Sequence, residues 1–178
     1  MKFDFDGRCY KNDIRYKTGR ISAILDTGAT ITALDIYSLA ILSGFSGQDI
    51  YSVAMAWIDS GRKTNHINTA SGNMDRAVTI ALRDVRIDNE LLPKFYMCLN
   101  VDNDLWRSNG IVTLSEKEYQ ISPSLLLGLD FIRSCKSTGD EDYFQLRDFD
   151  YKKYEDRCLQ KYQDVLNIFS QLEGSDRE

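Results

Sequence analysis

The decapeptide Ile21-Ser22-Ala23-Ile24-Leu25-Asp26-Thr27-Gly28-Ala29-Thr30 decides how the rest of the chain is read. Ile21, Ala23 and Leu25 alternate onto one face, the period-two pattern of a strand with one side in a core. That strand runs straight into Asp26, so a carboxylate is delivered at the exit of an apolar strand. Gly28, two residues on, allows a sharp bend that brings its own N–H close to the carboxylate. A D-[ST]-G-[AST] string alone arises by chance in about 1–2% of chains this long at average residue frequencies. Its weight therefore comes from its surroundings.

Upstream, Ile14 and Tyr16 alternate on a preceding arm, and residues 13–25 read as two strands around Lys17-Thr18-Gly19. Downstream, Ile31, Leu34, Leu39 and Leu42 spread over a segment rich in Ala and Leu that Ser43-Gly44 ends, which predicts a short helix or helical turns. In residues 48–59, Ile50, Val53, Ala54, Trp57 and Ile58 make the one-sided stripe of a second helix. From Asn65 the period changes to two: a hairpin turns at Ser71-Gly72-Asn73 and returns through residues 77–87. Residues 94–101, 111–114 and 143–146 read as further strands, with a polar loop carrying Trp106 over 102–109. Ser124-Leu125-Leu126-Leu127 is a continuous apolar run, read as a buried strand, and it leads into a helix at Gly128-Leu129-Asp130-Phe131-Ile132. Asp130 sits where an acidic residue caps a helix or meets its dipole, which favours a structural role over a catalytic one. Tyr154, Cys158, Tyr162, Val165, Phe169 and Leu172 follow at spacings of 4, 4, 3, 4 and 3, predicting one long amphipathic helix that docks on the domain or pairs with a partner.

Composition narrows the function. The 178 residues carry 22 Lys+Arg against 27 Asp+Glu, a formal charge of −5, with 43% hydrophobic residues: one domain with a modest appendage. No basic stripe is present to neutralise a polyanion, so nucleic acid is not an expected partner. No run approaches the roughly 18 apolar residues needed to span a bilayer, and residues 1–6 lack an apolar signal core. The expectation is a cytoplasmic protein with no membrane partner. Cys9, Cys98, Cys135 and Cys158 are far apart, and His66 is the sole histidine, so zinc sites of the usual spacing are excluded and no metal or cofactor is expected. Any Ser-His-Asp or Cys-His mechanism would have to run through His66 alone. Asp4-Phe5-Asp6-Gly7 has the D-x-D-G form of a phosphatase motif but lacks the buried strand that must precede it, and Ser46 is not flanked as a nucleophile elbow requires.

With the D-T-G-A string, an L-L-G-L-D-F-I segment about a hundred residues later and a glycine-bearing hairpin between them, residues 13–146 resemble the retropepsin-like aspartic proteases. That single-domain family includes retroviral proteases and their cellular and bacterial relatives. The resemblance implies a mainly β fold with added helices, a closed β-barrel forming half of an acid protease and functional as a two-fold dimer. It implies Asp26 as the catalytic carboxylate and Thr27 as a hydrogen-bonding residue across the dimer. Gly28 and Ala29 would shape the active-site turn, Gly128 would pack beneath it, and Thr69, Ala70, Ser71 and Gly72 would belong to a flap over the substrate.

Aspartic proteolysis uses two carboxyls that share a proton. This chain has one D-T-G, so the expected assembly is a homodimer with both copies of Asp26 at the axis, acting on a peptide or protein without a cofactor. The chain departs from compact members in the 48–59 helix, in Leu129 where many retroviral members carry a bracing arginine, and in the helical tail. Residues 1–148 would form the protease domain and 149–178 the tail. The alternative is a non-catalytic retropepsin-like dimerisation or peptide-binding module whose added helices block the groove or splay the aspartates.

Overall fold

The computed structural model describes residues 12–16, 19–69, 72–87, 90–137, 144–145 and 149–175. β1 (Asn12–Tyr16) and β2 (Gly19–Leu25) pair antiparallel from Asn12↔Ala23 to Tyr16↔Gly19, as their alternation predicts; Lys17 and Thr18 at the turn lie outside the described residues. Ile21, Ala23 and Leu25 are buried while Ser22 and Ile24 between them are only partly so. After the Asp26 turn come β3 (Ala33–Asp35), α1 (Ile36–Ser43) and α2 (Gly47–Asp59). Then follow β4 (Asn65–Asn68), β5 (Met74–Ile87) and β6 (Glu90–Asn100), a 3-10 turn at Leu105–Ser108, β7 (Ile111–Leu114) and β8 (Lys117–Gln120). β9 (Ser124–Leu127), α3 (Leu129–Ile132), β10 (Lys136–Ser137), β11 (Phe144–Gln145), α4 (Tyr151–Lys161) and α5 (Ile168–Ser175) complete the described elements.

The fold is mainly β with a few helices, organised on a mixed sheet in the order β1-β2-β9-β3-β6-β5-β4. β9 enters between β2, to which it is parallel, and β3, to which it is antiparallel. β3 in turn runs parallel to β6. β1 also pairs with β5 through Ile14↔Ile87 and Arg15↔Arg86. α1 is set by its ends: the Asp35 side chain accepts from the Ser38 N–H, and Gly44 adopts the left-handed conformation (φ 81°) that returns its N–H to the Ala40 carbonyl.

Three expectations are corrected. Residues 33–35 lie in a strand, because their backbone bonds are taken by β6 and β9; the helix begins only at Ile36. β9 is not fully buried, since Leu125 and Leu127 face the core while Leu126 keeps 37% of its surface. The tail is two helices. Tyr162 ends α4 in an extended conformation (φ −101°, ψ 127°), Asp164 takes φ 53°, and the Leu166 N–H donates to the Thr79 carbonyl at 2.8 Å, a sheet-type bond that a continuous helix would forfeit. Five of the six residues of the expected stripe, Tyr154, Cys158, Tyr162, Phe169 and Leu172, are buried; Val165 is only partly so, and the linker's Leu166 takes the inward place instead.

The tail docks on the domain. Tyr154 is 1% exposed among Phe95, Phe131 and Phe149, with ring centroids 5.4 to 6.2 Å away, and its hydroxyl accepts from the Tyr96 N–H at 2.9 Å. Burying an aromatic side chain of this size contributes on the order of 2–3 kcal/mol. Phe45, between α1 and α2, stacks on Phe169 of α5 at 5.4 Å, so the α1–α2 connection and the tail share one apolar seam. Among the described residues no helix is long and apolar enough to cross a membrane.

Candidate active site

Asp26 is placed by backbone bonds from both sides. Its N–H donates to the Leu127 carbonyl at 3.0 Å, extending the parallel β2–β9 pairing by one rung, and its carbonyl accepts from the Ala29 N–H at 3.2 Å. The Gly28 N–H donates to Asp26 Oδ1 at 2.9 Å. A side chain at Gly28 would put its Cβ 3.1 Å from that same oxygen, so the close approach of backbone to carboxylate suits glycine. The result is a half-buried carboxylate on a short turn, with one oxygen held by a backbone donor.

The floor beneath the turn is close-packed. A Cβ on Gly128 would collide with the backbone of Ile31, and the Leu129 N–H donates to the Ala29 carbonyl at 2.9 Å. The loop of residues 26–32 therefore lies directly on the junction between β9 and α3.

Above the turn is a cleft of about 630 Å³. Asp26, Gly28 and Ala29 line it from the loop, Asp35 from the end of β3, Leu126 from β9, and His66 and Thr69 from the β4–β5 hairpin. Of the residues singled out in the sequence, the cleft thus brings together Asp26, Gly28, Ala29 and Thr69. Thr27 is exposed and does not line the cleft, Gly128 lies below it, and Gly72 sits in the hairpin turn at φ 81° with its N–H on the Thr69 carbonyl. Ala70 and Ser71 lie outside the described residues. The hairpin is anchored at its base, where the Arg76 guanidinium meets Asp102 at 2.7 Å and the Arg76 N–H also donates to it at 2.7 Å; the guanidinium's hydrogen bonds hold the Asp102 carboxyl below its usual range.

Two groups in and below the cleft were not singled out as site residues. Asp35 faces the cleft while capping α1, and burial pushes its carboxyl up against the opposing hydrogen bond from Ser38. The cap signature ahead of α1 was the available signal. Asp130 is 4% exposed and accepts from the Thr32 N–H (3.1 Å), Thr32 Oγ1 (2.7 Å), the Phe131 N–H (2.9 Å) and the Tyr162 hydroxyl (2.5 Å). So many donors leave its oxygens no room for a water or a substrate carbonyl, and it serves the loop by holding Thr32. No local pattern links residues 32, 130 and 162.

Other chemistries find little support here. Burial pushes the Cys98 thiol up to about 11 and those of Cys135 and Cys158 up to about 12, so none is a thiolate nucleophile near neutral pH. Among the described residues, no three His, Cys, Asp or Glu side chains are clustered to hold a metal ion. What remains is the Asp26 carboxylate, held through one oxygen by Gly28 in a cleft that Asp35, engaged in capping α1, also borders. One such group per chain can bind and polarise a water, and two facing copies could share a proton.

No family model matches the chain, and no curated protein sequence matches it. Among solved structures it is similar to a retropepsin-like aspartic protease from Rickettsia conorii, with 18% identity and a TM-score of 0.43 over 81% of this chain and 85% of that one.

Proposed function

We propose that the chain is an aspartic endopeptidase of retropepsin-like fold, hydrolysing peptide bonds as a homodimer in which Asp26 of each subunit supplies half of the dyad. The observation that carries the reading is the Asp26 turn: a carboxylate at the exit of β2, one oxygen held by the Gly28 N–H, opening onto a 630 Å³ cleft beneath a hairpin. The β1–β5 pairing supports reading the main sheet as a closed barrel. On this reading residues 1–148 form the protease domain and 149–178 an appendage.

Two facing carboxyls cannot both ionise cheaply, so one proton is shared and the apparent pKa values belong to the pair. The ionised member draws a proton from water as it attacks the scissile carbonyl carbon; the protonated member donates to the carbonyl oxygen. The hairpin residues Thr69, Ala70, Ser71 and Gly72 would cover an extended peptide, leaving recognition to backbone bonds and pockets along its length. Thr27, exposed beside the turn, is available to meet its counterpart across the two-fold axis.

Asp26→Asn tests this directly. It should fold with the wild-type melting temperature within a few degrees and lose at least about a thousandfold in kcat/KM on a peptide library, together with pepstatin-type inhibition. Cleavage at the wild-type rate by the Asn variant would overturn the assignment, and tight peptide binding without cleavage by the wild type would favour the non-catalytic module.

A further inference from the structure

We propose that the α4 terminus acts on the Asp26 loop, with Tyr162 as its main positioning residue and Lys161 as a second one. The catalytic relevance of this brace rests on the aspartic-peptidase reading; the brace itself does not.

The loop of residues 26–32 leaves β2, crosses the end of β9 and enters β3. Its first residue is tied by Leu127, but its far half must be fixed by other contacts. Thr32 is the residue on which they converge: its N–H and hydroxyl both donate to Asp130, its Oγ1 accepts from the Gly128 N–H at 3.2 Å, and its carbonyl accepts from the Cys98 N–H at 2.9 Å. Asp130 is thus the hub, and its Oδ2 takes the Tyr162 hydroxyl as well as the Thr32 N–H.

Tyr162 is 6% exposed and ends α4 in an extended conformation, at the start of the linker to α5. Burial, then the neighbouring Asp130 charge, push its hydroxyl far above the usual tyrosine range, so it remains a proton donor under any working condition. One residue earlier, Lys161 Nζ donates to the Thr30 carbonyl at 3.0 Å, a second tie between the tail and the middle of the same loop. Arg157, a turn further back on α4, reaches the Asp130 carbonyl at 3.4 Å and Ser134 Oγ at 3.0 Å, which fixes α4 on the segment that carries Asp130. The break between α4 and α5 has a use in this arrangement: the extended backbone at Tyr162 ends the helix at the residue whose hydroxyl reaches Asp130.

The test uses the full chain and two readouts. In Tyr162→Phe, amide exchange at Thr32, Gly128 and Gly28 should quicken at least tenfold while α2 amides such as Ala54 keep their protection. On a cleaved peptide, kcat per inhibitor-titrated site should fall about tenfold with KM within twofold. Lys161→Met, a change at an exposed position, should give the same pattern at about threefold, and Lys161→Arg should restore it. Leu172→Ala in α5 is the control for lost stability: it should quicken exchange across the whole molecule and leave kcat per titrated site unchanged.

The brace is overturned if Tyr162→Phe leaves the loop amides at the wild-type rate or merely reproduces the uniform quickening of the control. Should Tyr162→Phe fail to fold, wild-type exchange and kcat in Lys161→Met overturn it instead. A wild type that cleaves nothing, with the loop amides still responding to Tyr162→Phe, would refute the peptidase reading and leave the brace standing.

Discussion

Asp35 caps α1 with one carboxylate oxygen and borders the cleft that holds Asp26. Because burial raises its carboxyl, the linkage has a definite sign: its folded pKa lies above the unfolded value, so its stabilising share is complete below about pH 3.8 and is lost as pH rises through the folded pKa. Asparagine caps a helix about as well as aspartate and does not titrate. Asp35→Asn should therefore gain on the wild type as pH is raised from about 3 to about 7. Urea midpoints of the two proteins across that range check it; a difference that does not change with pH, or that shrinks as pH rises, contradicts the account.

At the scale of elements, the β9–α3 junction is the surface on which the loop rests. Gly128→Ala would drive a methyl into the Ile31 backbone, and neither side can yield without moving the strand or the loop. It should cost about 1–3 kcal/mol by overpacking, measurable as a lower denaturation midpoint, and lower peptide cleavage more than Leu114→Ala, which trims an exposed side chain of β7 outside the cleft. The strand that leads into the loop and the one beneath it are legible in the sequence because β2 alternates and β9 is an apolar run ended by glycine. β3 is not: three residues are too few to show a period, and the Ala and Leu around them favour helix until β6 and β9 claim their backbone groups. β8 was missed because every residue of Lys117–Gln120 is exposed, leaving no apolar face to read. The tail's apolar period holds through α4 and again in α5 but slips by one at Val165, where Leu166 is the buried residue, since what breaks the helix is a bond from Leu166 to Thr79, some ninety residues away in sequence. The site divides the same way. Asp26 and Gly28 lie two residues apart in one short string and announce themselves; Thr32, Asp130 and Tyr162 meet only through the fold.

For the whole molecule, the count of one Asp26 turn per chain has a measurable consequence. If two subunits make one active site, specific activity should fall with dilution below the dimer dissociation constant, and the active species should sediment at twice the 20.4 kDa chain mass. Constant specific activity across a hundredfold dilution, with monomers throughout, would contradict the dimer. The sheet order adds a constraint of another kind. β9 separates β2 from β3, and the rung Ser22↔Ser124 joins positions about a hundred residues apart. The aspartate loop therefore spans a gap that stays empty until the distant strand arrives. A growing chain on the ribosome would carry the D-T-G sequence about a hundred residues ahead of Gly128 but could not assemble the loop until Gly128 had emerged. Closure of so long a segment is slow. If the chain is a protease, its own topology withholds the aspartate loop until β9 has been made.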